Sequence, residues 1–160
     1  MNKISIIMGS VSDLEIVNET IDLLKEFQVG CEIKVLSAHR TPKELVKYVE
    51  EAPKKGTRIF ICAAGGAAAL AGVVAAHTTF PVIGIPIETK SLMGMDSLLS
   101  TVQMPAGIPV ASMAIGKAGA RNAGLFALEI LSLSDAKISA KLKEYKNRMR
   151  LKIKKIKLGK

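Results

Sequence analysis

Five short runs of apolar, largely β-branched residues recur along this chain: Ile4 to Met8, Ile33 to Leu36, Ile59 to Cys62, Val82 to Ile85 and Val110 to Ile115. Amphipathic stretches separate most of them, and this alternation limits the fold more than any other feature. Runs that are apolar on both faces predict five buried strands of a parallel sheet, because only helices packed on both faces keep such strands from water. Asp13 to Phe27 predicts a helix, with Leu14, Val17, Ile21 and Leu24 on one face. A second runs from Pro42 to Ala52, with Thr41 as N-cap and proline at its first position. Gly66 to Thr78 is almost pure Ala, Leu and Val, too apolar for a surface helix, which predicts burial at a subunit or layer interface. Glu88 to Gly107 has room for a short helix around Met95 to Val102 and for a lid at Gln103 to Gly107. Lys117 to Leu133 reads as a helix entered through Gly116 and Gly119.

The chain is therefore read as an α/β protein with a parallel sheet covered on both faces, binding its ligand at the carboxyl ends of the strands. Its 160 residues, 49% of them hydrophobic, suit one domain, and neither a repeat nor a low-complexity linker divides it. We expect a single α/β domain over 1–134 and a basic helix over 135–160 that packs on a neighbouring subunit. No run approaches the ~18 to 20 apolar residues of a membrane span, and the N-terminus lacks a signal-peptide pattern, so a cytoplasmic protein is expected. Cys31 and Cys62 sit inside apolar runs without partners at metal-ligand spacing, which predicts reduced, buried thiols and no metal site.

The net charge of +9 is segregated. Through Ser134 there are twelve basic and twelve acidic residues; beyond it there are eleven basic and two acidic. Within that tail Ile138, Leu142, Tyr145, Met149, Ile153 and Ile156 form an apolar stripe, for which a neighbouring subunit is the expected cover. Nucleic-acid binding is disfavoured, because the tail's one aromatic, Tyr145, belongs to the stripe.

The loops after the first three strands are small, polar or glycine-rich, as a bound phosphate and sugar require. Gly9-Ser10-Val11-Ser12-Asp13 places hydroxyls and backbone amides at a helix N-terminus, where an anion is favoured. The same residues also read as helix caps. The loop is neither a Walker loop nor a dinucleotide fingerprint. In Ser37-Ala38-His39-Arg40-Thr41-Pro42, His39 offers proton transfer near neutral pH and Arg40 a rigid fork for phosphate, although a lone histidine is often structural. Ala63-Ala64-Gly65-Gly66-Ala67 follows the third strand. His77 reads as a helix C-terminal or interface residue. No Ser-His-Asp order, zinc cluster or nucleophilic cysteine can be assembled, which leaves chemistry without a metal or covalent intermediate as the simplest choice.

These motifs in this order resemble the N5-carboxyaminoimidazole ribonucleotide mutases of purine biosynthesis. The resemblance spans Ile4 to about Leu133 and includes Gly65-Gly66-Ala67-Ala68, Pro81 to Pro86, Asp96-Ser97-Leu98-Leu99-Ser100, Val102 to Pro105, Gly107 to Val110 and Asn122-Ala123-Gly124. It implies a three-layer flavodoxin-like fold assembled as a homo-octamer, acting without a cofactor on a small phosphorylated ribonucleotide. By motif match, Ser10, Ser12 and Arg40 would hold the 5′-phosphate and Asp13 the ribose, with Gly9 in the same loop. Ser37, Ala38 and the Gly65-Gly66 backbone would meet the remaining edges, beside Ala67, Ala69 and Leu70. His39 matches the general acid–base residue. The implied reaction moves a carboxylate from the exocyclic nitrogen to ring carbon 4 through carbon dioxide held in a closed pocket.

One segment departs from the family pattern. Ala69 stands where a second histidine is expected, and Ala63 replaces a glycine. An active mutase that tolerates Ala69, a direct carboxylase of aminoimidazole ribonucleotide and a catalytically impaired nucleotide-binding relative are the alternatives. Gly65 to Ala68 favours the mutase class over the carboxylase.

Overall fold

The computed structural model describes residues 3–156, so Lys157 to Lys160 of the basic tail lie outside the described residues. Five strands, β1 (Ile4–Met8), β2 (Cys31–Val35), β3 (Ile59–Gly65), β4 (Val82–Ile87) and β5 (Ala111–Ser112), form one parallel sheet in the order β2-β1-β3-β4-β5. This is the expected doubly wound, flavodoxin-like architecture. The helices are α1 (Leu14–Glu26), α2 (Pro42–Glu51), α3 (Leu70–Ala76), α4 (Met95–Val102), α5 (Gly116–Ser132) and α6 (Ala136–Lys154).

Side chains alternate across the central strands and feed two cores. Ile4, Ile6 and Met8 of β1, Ile59 and Ile61 of β3, and Ile83 and Ile85 of β4 face α1, α5 and α6. Ile7, Phe60, Cys62 and Val82 point the other way, onto Leu45 and Val49 of α2 and Leu70, Ala71 and Val74 of α3. The α1–α5 contact is close because α5 offers small residues. Thr20 Oγ donates to the Ala120 carbonyl at 2.6 Å, and a Cβ on Gly124 would lie 2.9 Å from Leu23.

Three expectations change. β2 is an edge strand and is not buried: Ile33 and Val35 remain 42% and 49% exposed, since only β1 pairs with it. β5 shrinks to two residues at the opposite edge, because Pro109 has no N–H for a ladder and the chain turns into α5 just after Met113 bonds to the Gly84 carbonyl. The Ala-rich helix starts only at Leu70, because Gly66 takes a left-handed φ of +70° and two tight turns, Ala68 N to Gly66 O and Ala69 N to Ala67 O, precede it. Its Leu70, Ala71 and Val74 are buried in the chain's own core, as a layer contact.

The stripe of α6 divides in two. Ile138, Leu142 and Tyr145 are buried in the chain's own core, with the Tyr145 ring tilted against Phe27 at 5.7 Å between centroids and flanked by Arg121 and Arg148. Lys141 Nζ donates to the Phe27 carbonyl at 2.8 Å, and Arg148 reaches Glu26 at 2.7 Å. Met149, Ile153 and Ile156 stay exposed.

A partly buried polar chain ties α2 to the first two strands: Ser5 Oγ lies 2.7 Å from Tyr48 Oη, which donates to Glu32 at 3.0 Å. Burial, and then the Glu32 carboxylate, push the Tyr48 hydroxyl up to about 12. Both cysteines are free, as expected, and burial raises both thiols, so neither is a nucleophile at neutral pH. Cys62 is fully buried but Cys31, on the edge strand, only half-buried.

Gly119 holds the start of α5 against the preceding loop, where a Cβ would collide with the Ala114 backbone carbonyl. Gly119→Ala is expected to destabilise the protein by about 2 kcal/mol despite the better helix propensity of alanine, lowering Tm by roughly 4–8 °C in a thermal melt.

Candidate functional site

The carboxyl ends of β1 and β3 diverge where the strand order reverses, because β1 runs on to β2 on one side of the sheet and β3 to β4 on the other. Such a switch point opens a crevice. Here it is a cleft of about 490 Å³. The loops after β1, β2 and β3 all reach it, and a fourth wall comes from the end of β4.

After β1 the chain makes a single 3-10 turn, Val11–Asp13, before α1. Ser10 caps it, accepting from Ser12 N at 3.3 Å, while Ser12 Oγ lies 2.9 Å from Ser10 Oγ and 3.2 Å from an Asp13 carboxylate oxygen. The capping reading of this loop is therefore correct for Ser10, and Ser10 and Ser12 line the cleft as well. Asp13 is 7% exposed, and its carboxyl is shifted upward because burial outweighs the Ser12 hydrogen bond and the Arg40 charge.

The loop after β2 is organised by Thr41, though not as the helix cap expected. Its Oγ accepts from Ser37 N at 2.8 Å and donates back to the Ser37 carbonyl at 3.1 Å, closing Ser37 to Thr41 on itself. That ring lifts His39 and Arg40 to its exposed edge. Arg40 then reaches across to the first loop, donating to the Gly9 carbonyl at 2.7 Å, with its Nε 3.4 Å from Ser37 Oγ. The guanidinium is thereby tied to the first loop in the cleft that Ser10 and Ser12 also line, and its remaining N–H groups are available to an anion. Two serines, one anchored arginine and a helix start are groups that favour an anion.

The loop after β3 supplies a wall almost without side chains. Ala64, Gly65, Ala67, Ala68, Ala69 and Leu70 line the cleft. Ala69, the position that departs from the family pattern, thus faces the same cavity as His39. Ala63 is accommodated without crowding: its side chain is buried in the core while its carbonyl accepts from Gly9 N at 3.1 Å. Gly66 is part of the loop but does not line the cavity. Every other residue expected at the site does. His77 caps the C-terminal end of α3, 4.0 Å from Glu50 and away from the cleft.

Ile87, Glu88 and Thr89 complete the cleft and were not legible as site residues. The long segment that begins at Glu88 drew attention to its far end, whereas the rule that ligands sit at strand ends points to its first two residues. Among the described residues no group of His, Cys, Asp and Glu side chains could hold a metal ion.

The sequence matches the protein family described as AIR carboxylase over residues 3–152. This chain belongs to the AIR carboxylase family. Among its family relatives, the N5-carboxyaminoimidazole ribonucleotide mutase of Pyrococcus abyssi is 53% identical over 94% of this chain and 85% of its own length. The enzyme of the same name from Bacillus subtilis is 55% identical over 88% of this chain and 87% of its own. In the solved structures the fold matches the crystal structure of Treponema denticola PurE with a TM-score of 0.86 at 30% identity, covering 94% of this chain and 92% of that one.

Burial makes the ionised Asp13 a strained member of this family site. A carboxyl whose pKa is raised on folding binds more protons in the native than in the unfolded state, so its contribution to stability falls as pH rises above its ordinary pKa near 3.8 and is unfavourable at neutral pH. Asp13→Asn is therefore expected to raise Tm at pH 7 more than at pH 3, with thermal melts at the two pH values as the readout.

Proposed function

We propose that this chain is an N5-carboxyaminoimidazole ribonucleotide mutase, an isomerase that forms 4-carboxy-5-aminoimidazole ribonucleotide in purine biosynthesis. The observation that carries this reading is the joining of His39, the anchored Arg40, the Ser10–Ser12 hydroxyls and a side-chain-poor wall in one cleft, in a chain about half identical to enzymes of that name.

The phosphate sits between Ser10, Ser12 and Arg40, and Asp13 accepts from the ribose hydroxyls. The base then lies against Ala38 and the Gly65 to Ala69 wall, within reach of His39. As the N–C bond of the carbamate breaks, carbon dioxide leaves and the exocyclic nitrogen takes a proton from His39. Electron density from that nitrogen, delivered through the ring, makes carbon 4 the nucleophile toward carbon dioxide. The neutral imidazole then removes the carbon 4 proton, which restores both the aromatic ring and the protonated histidine. An imidazole can donate and accept a proton, so one side chain serves in both directions. Alanine and glycine walls offer carbon dioxide no hydrogen-bonding competitor, and closure of Gln103 to Gly107 keeps water out.

The assembly belongs to the proposal. Leu92, Met93, Met95, Leu99 and Val102 form an exposed apolar surface on and before α4, and Met149, Ile153 and Ile156 extend the α6 stripe beyond its own core. These surfaces support association between copies of the chain, a homo-octamer by the resemblance, with the end of α6 packing on a neighbouring subunit. A cytoplasmic setting fits a phosphorylated substrate, and none of the described helices is long and apolar enough to cross a membrane.

Purified protein given N5-carboxyaminoimidazole ribonucleotide, without ATP or added metal, is expected to convert it well above the spontaneous rate and independently of bicarbonate. Conversion at the background rate would refute the reading, and dependence on bicarbonate would favour direct carboxylation. His39→Asn is expected to lower kcat about 10²- to 10⁴-fold with the oligomer intact by sedimentation, and a near-normal rate would remove its assigned role. Since His39 supplies both proton transfers, Ala69→His should change kcat less than about tenfold. A rescue of 10²-fold or more from a background rate would instead identify a scaffold disabled at position 69.

A further inference from the structure

The Asp96-Ser97-Leu98-Leu99-Ser100 motif lines no part of the cleft, yet its polar groups hold two of the cleft's walls together. Ser97, in the first turn of α4, has no solvent exposure. Its Oγ accepts a hydrogen bond from Gly66 N at 2.9 Å and donates one to the Ile87 carbonyl at 2.6 Å. Gly66 is the left-handed residue that starts the Gly66 to Ala69 turns, and Ile87 is the last residue of β4. A single hydroxyl therefore bridges the loop after β3 to the end of β4. The neighbouring residues tighten the same joint. Thr89 Oγ, on the cleft wall, lies 2.9 and 3.0 Å from the two Asp96 carboxylate oxygens, and Ser100 Oγ stands 3.5 Å from the Gly66 carbonyl.

We infer that Ser97 is a positioning residue for substrate binding, acting through the Gly66 backbone it holds and without touching the ligand. This rests on the mutase reading of the cleft. The wall from Gly65 to Ala69 has no side chain long enough to adapt to a ligand, so its fit depends on where the backbone is held. Apart from the ladder pairing of Gly65 with Ile87, the Val73 N bond to the Ala69 carbonyl and the 3.5 Å contact of Ser100 Oγ, it is restrained by short-range bonds within the turns, Ala68 N to Gly66 O and Ala69 N to Ala67 O. Removing the Ser97 hydroxyl takes this partner from the buried Ile87 carbonyl and the part-buried Gly66 amide at once. The loop gains freedom that each binding event must then remove, which raises KM more than it lowers kcat.

Steady-state kinetics on N5-carboxyaminoimidazole ribonucleotide test this with Ser97→Ala beside Thr101→Val. Thr101 supplies a second buried hydroxyl on the same helix, donating to the Ser97 carbonyl at 2.7 Å, but it does not line the cleft. Ser97→Ala is expected to raise KM about tenfold with kcat within about threefold, Thr101→Val to leave KM within about twofold at a comparable loss of Tm, and Ser97→Cys to recover part of the KM. An unchanged KM in Ser97→Ala, or an equal rise in Thr101→Val, overturns the positioning role. Should Ser97→Ala not fold, amide exchange in the wild-type protein decides: Gly66 N–H protected well beyond Ala67 N–H supports the clamp, and fast exchange at Gly66 overturns it. Lack of turnover by the wild type refutes the mutase reading, whereas turnover with an unchanged KM in Ser97→Ala refutes this inference alone.

Discussion

The hydrogen bond from Gly9 N to the Ala63 carbonyl, 3.1 Å long, is the last link between β1 and β3 before their chains part. Up to that point the two strands share one ladder, from Ile4 opposite Ile59 to Met8 opposite Ala63. Beyond it nothing in the sheet fills the space, and the first and third loops are driven to opposite sides of an opening. The site depends on this divergence. Arg40 reaches the Gly9 carbonyl only because β2 lies next to β1, and the alanine wall opposes His39 only because β3 lies on β1's other side.

Much of this was legible because it rests on periodicity and on residue chemistry with a local meaning. The strand runs, the α1 and α2 faces and the proline at the start of α2 all follow from nearest-neighbour physics. What escaped was set by position within the finished sheet. In Cys31 to Val35 the charged Glu32 and Lys34 alternate with apolar residues, a pattern absent from β1 and suited to an edge, but only the pairing order leaves Ile33 and Val35 uncovered. The late start of α3 was likewise hidden, since an alanine run reads as helix unless the φ of Gly66 is known. At the site, loops with polar or glycine-rich signatures stood out, while Glu88 and Thr89 came from a strand end with no signature of its own.

Thr41 and Ser10 show how one residue type at a helix start can have two meanings. Both stand just before a helical segment, and both were readable as caps. Ser10 does cap, whereas Thr41 spends its hydroxyl on Ser37 and so shapes the turn that carries His39. The difference lies in the backbone: the Ser10 hydroxyl meets the amide two residues ahead, and the Thr41 hydroxyl meets one four residues behind. Hydroxyl residues before a helix signal a local backbone bond, but the direction of that bond is a property of the loop's path.

The wall from Ala64 to Leu70 contributes methyl groups, one leucine and peptide units, none of which can gain or lose a proton near neutral pH. The electrical state of the cavity therefore changes through very few groups. Asp13, His39, Arg40 and Glu88 are the lining residues that carry ionisable side chains. The charge of the cleft is thus supplied by the walls built after β1, β2 and β4, while the wall after β3 is electrically silent.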